Sequence, residues 1–261
     1  MAIPEIDTHL ITESDTPPVI VLAGSSDQER GSDPHRHRRG QLFGSTRGLL
    51  TVGLDSGVWV VPTTHAVWVP PHQLHWAASH GPFHGYAVYV AEAACADLPA
   101  RPGSIRVSAL LREAVLRAAT WPPRELDARG ERIAAVILDE IRTLPVDALG
   151  LPLPQDARLL RIARAILAAP AEERSLEEWA AWAGTSARSL SRHFVAETGF
   201  TFSAWRQRAR LARSLELLAE SVPVTTIALD LGYSTPSTFI ALFKRTFGAT
   251  PAAYRARLRG A

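Results

Sequence analysis

A chain of 261 residues, 46% of them hydrophobic and with a formal net charge of +2, is long enough for two compact domains that each bury a core. No run approaches the roughly 20 uninterrupted apolar residues of a membrane helix, and the opening MAIPEIDTHLITESD places acids and a proline where an export signal needs a basic segment and an apolar run. The single Cys95 excludes an intramolecular disulfide and a zinc site built on cysteines. These exclusions predict a cytoplasmic protein with no membrane partner. The small net charge hides a division: residues 156–261 hold 15 Lys and Arg against 9 Asp and Glu, a formal +6, which leaves −4 on residues 1–155. Such asymmetry points to a nucleic-acid-binding half joined to a half with another task.

Up to about residue 92 the chain reads as short β-type runs separated by turn residues: VIVLAG, GLLTVGL, GVWVVP, HAVWVP and GYAVYV. Regularly spaced short strands predict a barrel or sandwich. Within this half, the run Asp33-Pro-His-Arg-His-Arg-Arg-Gly-Gln-Leu places His35, His37 and Gln41 at equal parity, so on a strand they share one face. Pro70-Pro-His-Gln-Leu-His75 adds an imidazole after a proline turn. The arrangement resembles a cupin, with H-x-H-x3-E and a glycine seven residues on, then P-x-G-x2-H, across roughly residues 30–92. It departs twice, with Gln41 for the usual Glu and His72 for the usual Gly. If the ligand positions carry over, His35, His37 and His75 supply three nitrogens and Gln41 a carbonyl oxygen to one divalent transition metal. Neutral ligands leave the metal's charge uncompensated, which weakens binding or favours an anionic effector beside it. A barrel that holds a small organic effector without metal is the competing reading. His9, His65, His72, His80 and His84 read as structurally satisfied.

From Ser104 the apolar period becomes helical: Ile105, Ala109, Leu111 and Leu116, then Leu126, Ile133, Ile137, Leu138 and Ile141, split by Trp121-Pro-Pro. These stripes predict packing on the barrel and on a second copy, a homodimer. Residues 143–156, with three prolines, a glycine and no periodicity, read as a linker. The expected division is a sensor and dimerisation domain over 1–142, that linker, and a helical domain over 157–261.

The helical part repeats itself. Trp179, Ala180 and Gly184 recur 48 residues later as Ile227, Ala228 and Gly232, and Leu190, Phe194, Gly199 and Trp205 recur 49 residues later as Phe239, Phe243, Gly248 and Tyr254. Each copy reads as a helix-turn-helix: an apolar first helix, a glycine turn, an N-cap at Ser186 or at Ser234 or Thr235, and a second helix anchored on one face. The opposite face is the candidate reader of a major groove. It offers Arg188, Ser191, Arg192 and His193 in the first copy and the less polar Pro236, Ser237, Ile240, Ala241 and Lys244 in the second. A long amphipathic helix between the copies would hold the readers in successive grooves.

The run IALDLGYSTPSTFIALFKRTFGATPAAYR, residues 227–255, is similar to the signature of the AraC/XylS family of bacterial transcription regulators. Gly232-Tyr-Ser-Thr, Phe243-Lys and Gly248-Ala-Thr-Pro stand at its fixed elements. That resemblance, over residues 157–259, implies a DNA-binding domain of seven helices and a regulator of promoters, with RNA polymerase as a partner. It places Arg188, Ser191 and Arg192, and Ser237 and Ile240, at base-contacting positions, while Ala241 stands where many members carry Arg.

The sequence therefore predicts an α+β protein of two domains, a cupin-like barrel with following helices and an all-α domain with two helix-turn-helix units. Its expected function is sequence-specific binding of double-stranded DNA under control of a ligand or metal, without catalysis. A metal-dependent cupin enzyme fused to a DNA-binding domain is the alternative, distinguished by turnover that needs His35 and His37. A helical repeat that binds a partner protein is the other, excluded by salt-dependent, sequence-selective duplex binding.

Overall fold

The structure is a computed structural model and describes residues 17–122, 126–147 and 150–259; His9 lies outside them. Contacts divide the chain into two compact units, one comprising Met1–Leu54 with Trp59–Gly150 and the other Asp55–Val58 with Leu151–Arg259.

The first unit is built on strands β1 (Val19–Ser26), β2 (Gly40–Leu54), β3 (Gly57–Val61), β4 (His65–Val69), β5 (His75–Val90), β6 (Gly103–Arg106) and β7 (Val146–Asp147), with β8 (Gly150–Pro152) at its end. The sheet runs β1-β5-β2-β4-β6-β7, with β3 on β2. Antiparallel register alternates the side chains cleanly. Val19, Val21, Leu42, Ala66, Trp68, Val88 and Ile105 face a core shared with helices α1 (Ala109–Ala118) and α2 (Ala128–Thr143). Phe43, Val52, Leu54, Trp59, Val61, Val67, Val69 and Phe83 fill the opposite face. Strand β4 is buried on both sides, which is why its sequence is an apolar run and not an alternation.

Strands β2 and β5 pair along most of their length, from Gly40↔Val90 to Leu54↔His75. A flat ladder of that length would hold Gln41 and His75 on the order of 40 Å apart. They touch, with Gln41 Oε1 3.0 Å from His75 Nε2, so the ladder is rolled. The roll is made at register shifts between Ser45 and Leu49, the local bending that an extra residue in one strand produces. Gly48, at φ +81°, sits in this irregularity, and a Cβ there would stand 2.6 Å from the Pro82 carbonyl. Both facts account for glycine seven residues after Gln41.

Four strands differ from expectation. Ile105 belongs to strand β6, not to a helix, because the edge of β4 is open to it through Ala66↔Ile105 and Val67↔Ser104; the helix starts only after Ser108, whose side chain caps the Leu111 amide. The N-terminal halves of β2 and β5 extend the two runs read as GLLTVGL and GYAVYV. Within 143–156, Val146–Asp147 pairs with β6, so this edge takes up chain that composition alone leaves as linker.

The second unit has seven helices among the described residues: α3 (Ala157–Ala168), α4 (Leu176–Ala183), α5 (Ala187–Thr198), α6 (Phe202–Ala219), α7 (Val224–Asp230), α8 (Pro236–Phe247) and α9 (Pro251–Leu258). Their ends are written in the sequence. Ser175 and Glu178 form a reciprocal capping box on α4, Ser186 caps α5 and Thr235 caps α8. Both inter-helix turns use a glycine in the left-handed region, Gly184 at φ +69° and Gly232 at φ +72°. Trp179, Leu190, Phe194, Phe202 and Trp205 form the core of the first helix-turn-helix. Phe239, Phe243, Phe247 and Tyr254 stack successively in the second, with ring centroids 4.6–5.6 Å apart.

Candidate nucleic-acid interface and candidate metal centre

In the first unit the residues 31–37 lie along β5, through reciprocal backbone hydrogen bonds of 2.9 Å between His35 and His75. Gln41 sits on β2 opposite both Val69 and Tyr89, hence on the barrel face that holds Val69. These placements bring His35, His37 and His75 together with one ligand nitrogen from each within 4.8 Å of the others. His37, His75 and Gln41 are buried, and His35 is exposed.

The hydrogen bonds determine which atoms face inward. The Nδ1 of His35 donates to the Asp33 carbonyl at 2.8 Å, that of His37 to Arg39 at 2.7 Å and that of His75 to Gln73 at 2.8 Å. A carbonyl only accepts, so each Nδ1 carries the proton and each Nε2 of the neutral ring presents a lone pair. Burial lowers the pKa of His37 and brings that of His75 to about 4, keeping these rings neutral at pH 7. Gln41 Oε1 lies 3.0 Å from both His37 Nε2 and His75 Nε2. Gln41 also hydrogen-bonds the Tyr89 side chain, whose pKa burial raises to about 12. The Nε2 atoms of His37 and His75 and the side-chain amide of Gln41 thus converge on one point, a set of neutral donors that a divalent cation at the centre would satisfy. Ligands about 2.1 Å from a common metal stand about 3.0–3.4 Å apart, which the Gln41 distances match. The carbonyl bonds to Nδ1 are the outer partners that orient metal-binding imidazoles.

His72, in place of the motif glycine, keeps that glycine's left-handed backbone at φ +64°. Its ring points away to Glu92, with Nε2 2.9 Å from Oε1, and Arg38 Nε adds a second bond at 3.2 Å; together they hold the Glu92 carboxyl below its usual range. His80 lies 2.9 Å from Thr51 Oγ1 and His65 2.9 Å from Thr64 Oγ1. Tyr89 was not legible as a neighbour of the site. Its parity within GYAVYV is visible, but its pairing with Gln41 is not.

In the second unit, Leu190 and Phe194 bury one side of α5 and leave Arg188 and Arg192 exposed on the other, flanked by half-buried Ser191 and His193. Arg192 Nη2 donates to His193 Nε2 at 3.1 Å. On α8, Phe239, Leu242 and Phe243 are buried, Ser237, Ala241 and Lys244 are exposed, and Pro236 and Ile240 are half-buried. Pro236 occupies the first helical position, where its missing N–H costs nothing. Several arginines of this unit also hold backbone carbonyls. Arg161, Arg206, Arg210 and Arg255 donate to the carbonyls of Trp182, Arg174, Pro170 and Val222.

Residues 17–181 match the AraC-like ligand binding domain, and residues 179–257 match a helix-turn-helix domain. The HTH-type transcriptional regulator NimR of Escherichia coli is 31% identical over 234 residues, 88% of this chain and 84% of its own length. The HTH-type transcriptional regulator RipA of Corynebacterium glutamicum is 36% identical over 122 residues, 47% of this chain and 35% of its own. The regulatory protein SoxS of Salmonella typhimurium is 41% identical over 76 residues, 29% of this chain and 71% of its own.

Proposed function

This chain belongs to the AraC family of DNA-binding transcription regulators, with a ligand-binding domain ahead of its helix-turn-helix domain, and from that premise we propose that one divalent transition metal, held by His35, His37, His75 and Gln41, controls its binding to double-stranded promoter DNA. The protein acts in the cytoplasm as a homodimer, catalyses no reaction, and has RNA polymerase as its downstream partner at the promoter. Bases are read by Arg188, Ser191, Arg192 and His193 on α5 and by Pro236, Ser237, Ile240, Ala241 and Lys244 on α8.

The observation that carries the metal reading is the convergence of His35, His37 and His75 on one point with Gln41 3.0 Å from two of them, each imidazole's Nδ1 facing a backbone carbonyl. A second observation favours an ion over a bulky organic effector. The barrel face beside the site is filled by Phe43, Val52, Trp59, Val61, Val67 and Phe83, each under 10% exposed. Control requires only that the metal bind two conformations unequally, since coupling is the difference between those affinities.

Protein purified without chelator, then equilibrated with Zn, Ni, Co or Mn and desalted, is expected to retain about one metal per chain, and His75→Ala is expected to lose it. Near-zero occupancy in the parent protein after all four metals overturns the metal reading and leaves DNA binding to stand by itself.

A further inference from the structure

The repeat extends further than the helix-turn-helix pairs. Helix α3 is repeated in the second half of α6 at a spacing of 52 residues. Buried Leu159, Ile162, Ala163 and Ile166 on α3 correspond to buried Leu211, Ser214, Leu215 and Leu218 on α6. Arg158 then corresponds to Arg210. Each unit of the repeat is therefore three helices, and each places a guanidinium one residue ahead of its first buried position.

Both arginines line a cleft against the following reader helix, at matching positions. The first cleft is formed by Asp156, Arg158, Leu159, Thr185, Ser189 and His193. The second includes Gln207, Arg210, Tyr233, Thr238, Leu242 and Arg245. Under the spacing of 48 and 49 residues, Thr185 corresponds to Tyr233, Ser189 to Thr238 and His193 to Leu242. A hydroxyl thus recurs on the reader's first turn in both copies. In each it lies beside the capping hydroxyl, with Ser189 Oγ 3.0 Å from Ser186 Oγ and Thr238 Oγ1 2.9 Å from Thr235 Oγ1.

We infer that the two clefts are equivalent phosphate clamps, one per reader, in which Arg158 with Ser189 and Arg210 with Thr238 and Arg245 grip DNA backbone phosphates bordering the groove that each reader enters. The inference rests on the DNA-binding reading and adds residues outside the base-reading set. Donors dominate both clefts: guanidinium and hydroxyl groups in each, the Gln207 amide in the second. The one carboxylate, Asp156, accepts from the backbone amides of Arg158 and Leu159 at 2.9 and 3.2 Å and stands 3.6 Å from the Arg158 guanidinium, an exposed pair with which a phosphate would compete. The second cleft is continuous with the reader face through Ala241, and the first through His193. Contacts of this kind set register and orientation without reading sequence, and each releases counterions.

The test is the salt dependence of duplex binding by the full chain, on its selected site and on scrambled duplex, for Arg158→Ala and Arg245→Ala. Both side chains are exposed, and an unchanged melting temperature verifies that the fold is kept. Arg210 is left intact because it also holds the Pro170 carbonyl. Each variant is expected to lower the slope of log K against log salt by about 0.9, to lose affinity equally on both duplexes, and in the case of Arg158→Lys to regain the slope. Unchanged slopes overturn the clamps, and so does a loss confined to the selected site. A parent protein that selects no duplex overturns the DNA-binding reading instead, a separate outcome.

Discussion

Arg192→Ala is expected to weaken binding to the selected duplex by about 1–3 kcal/mol, roughly 5- to 150-fold, with little change on scrambled duplex. The residue is exposed on the face of α5 opposite Phe194, with its Nη2 3.1 Å from His193 Nε2. A planar donor fork on that face suits the paired acceptors of guanine. Ser237→Ala on α8 removes one neutral hydrogen-bonding group and is expected to cost less, about 0.5–1.5 kcal/mol at most. The rest of that second face, with Pro236, Ile240 and Ala241, offers apolar contact, which suits the methyl group of thymine. Titration of both variants against the same fluorescent duplex measures the difference. Small and equal losses would remove the claim that the two readers are unequal.

The largest stability effect is expected at Phe194, where truncation to Ala should cost about 3–5 kcal/mol. Its side chain is fully buried and meets Phe202 and Trp205 edge-on, at centroid distances of 5.3 and 5.4 Å. A domain is stable by only about 5–15 kcal/mol, so this one change takes a large share of the stability of residues 151–259. Urea unfolding followed by fluorescence reports it, because Trp179, Trp182 and Trp205 all lie in that unit. Val195→Ala, one residue along but 41% exposed, is the control and should change stability by under about 0.5 kcal/mol. A loss below about 1 kcal/mol at Phe194 would mean that α5 is not anchored as described.

The second unit was legible because each of its features is local. Helix caps at Ser186 and Thr235, glycines in left-handed turns and apolar residues three and four apart are all set by neighbours in sequence. The 52-residue repeat of α3 in α6 was not seen, because the loop before α7 is shorter than that before α4. A single spacing does not fit the whole unit. The first unit was legible only where strands are apolar on both faces, as in β4. The first half of β2, GQLFGSTR, mixes glycine and polar residues around a bulge, and such a pattern has no clean period of two. Ile105 fits a strand or a helix equally well, and the open edge of β4 decides between them. The histidines and Gln41 were expected on one face of a single strand, but His35 makes an isolated bridge to His75, residues 38 and 39 bend, and only Gln41 lies on β2. What sequence could not supply was this path of the chain and the roll of the β2–β5 ladder that brings Gln41 to His75.

Selection of binding sites from a random duplex library by the full chain, with metal and with chelator, tests most directly whether this is a metal-controlled reader of DNA. The account predicts an enriched motif of one strong and one weak block, set by α5 and α8, that is lost or sharply weakened when chelator removes the metal. An equally strong motif in both conditions would contradict metal control, and the absence of any motif in either would contradict the assignment of α5 and α8 as readers.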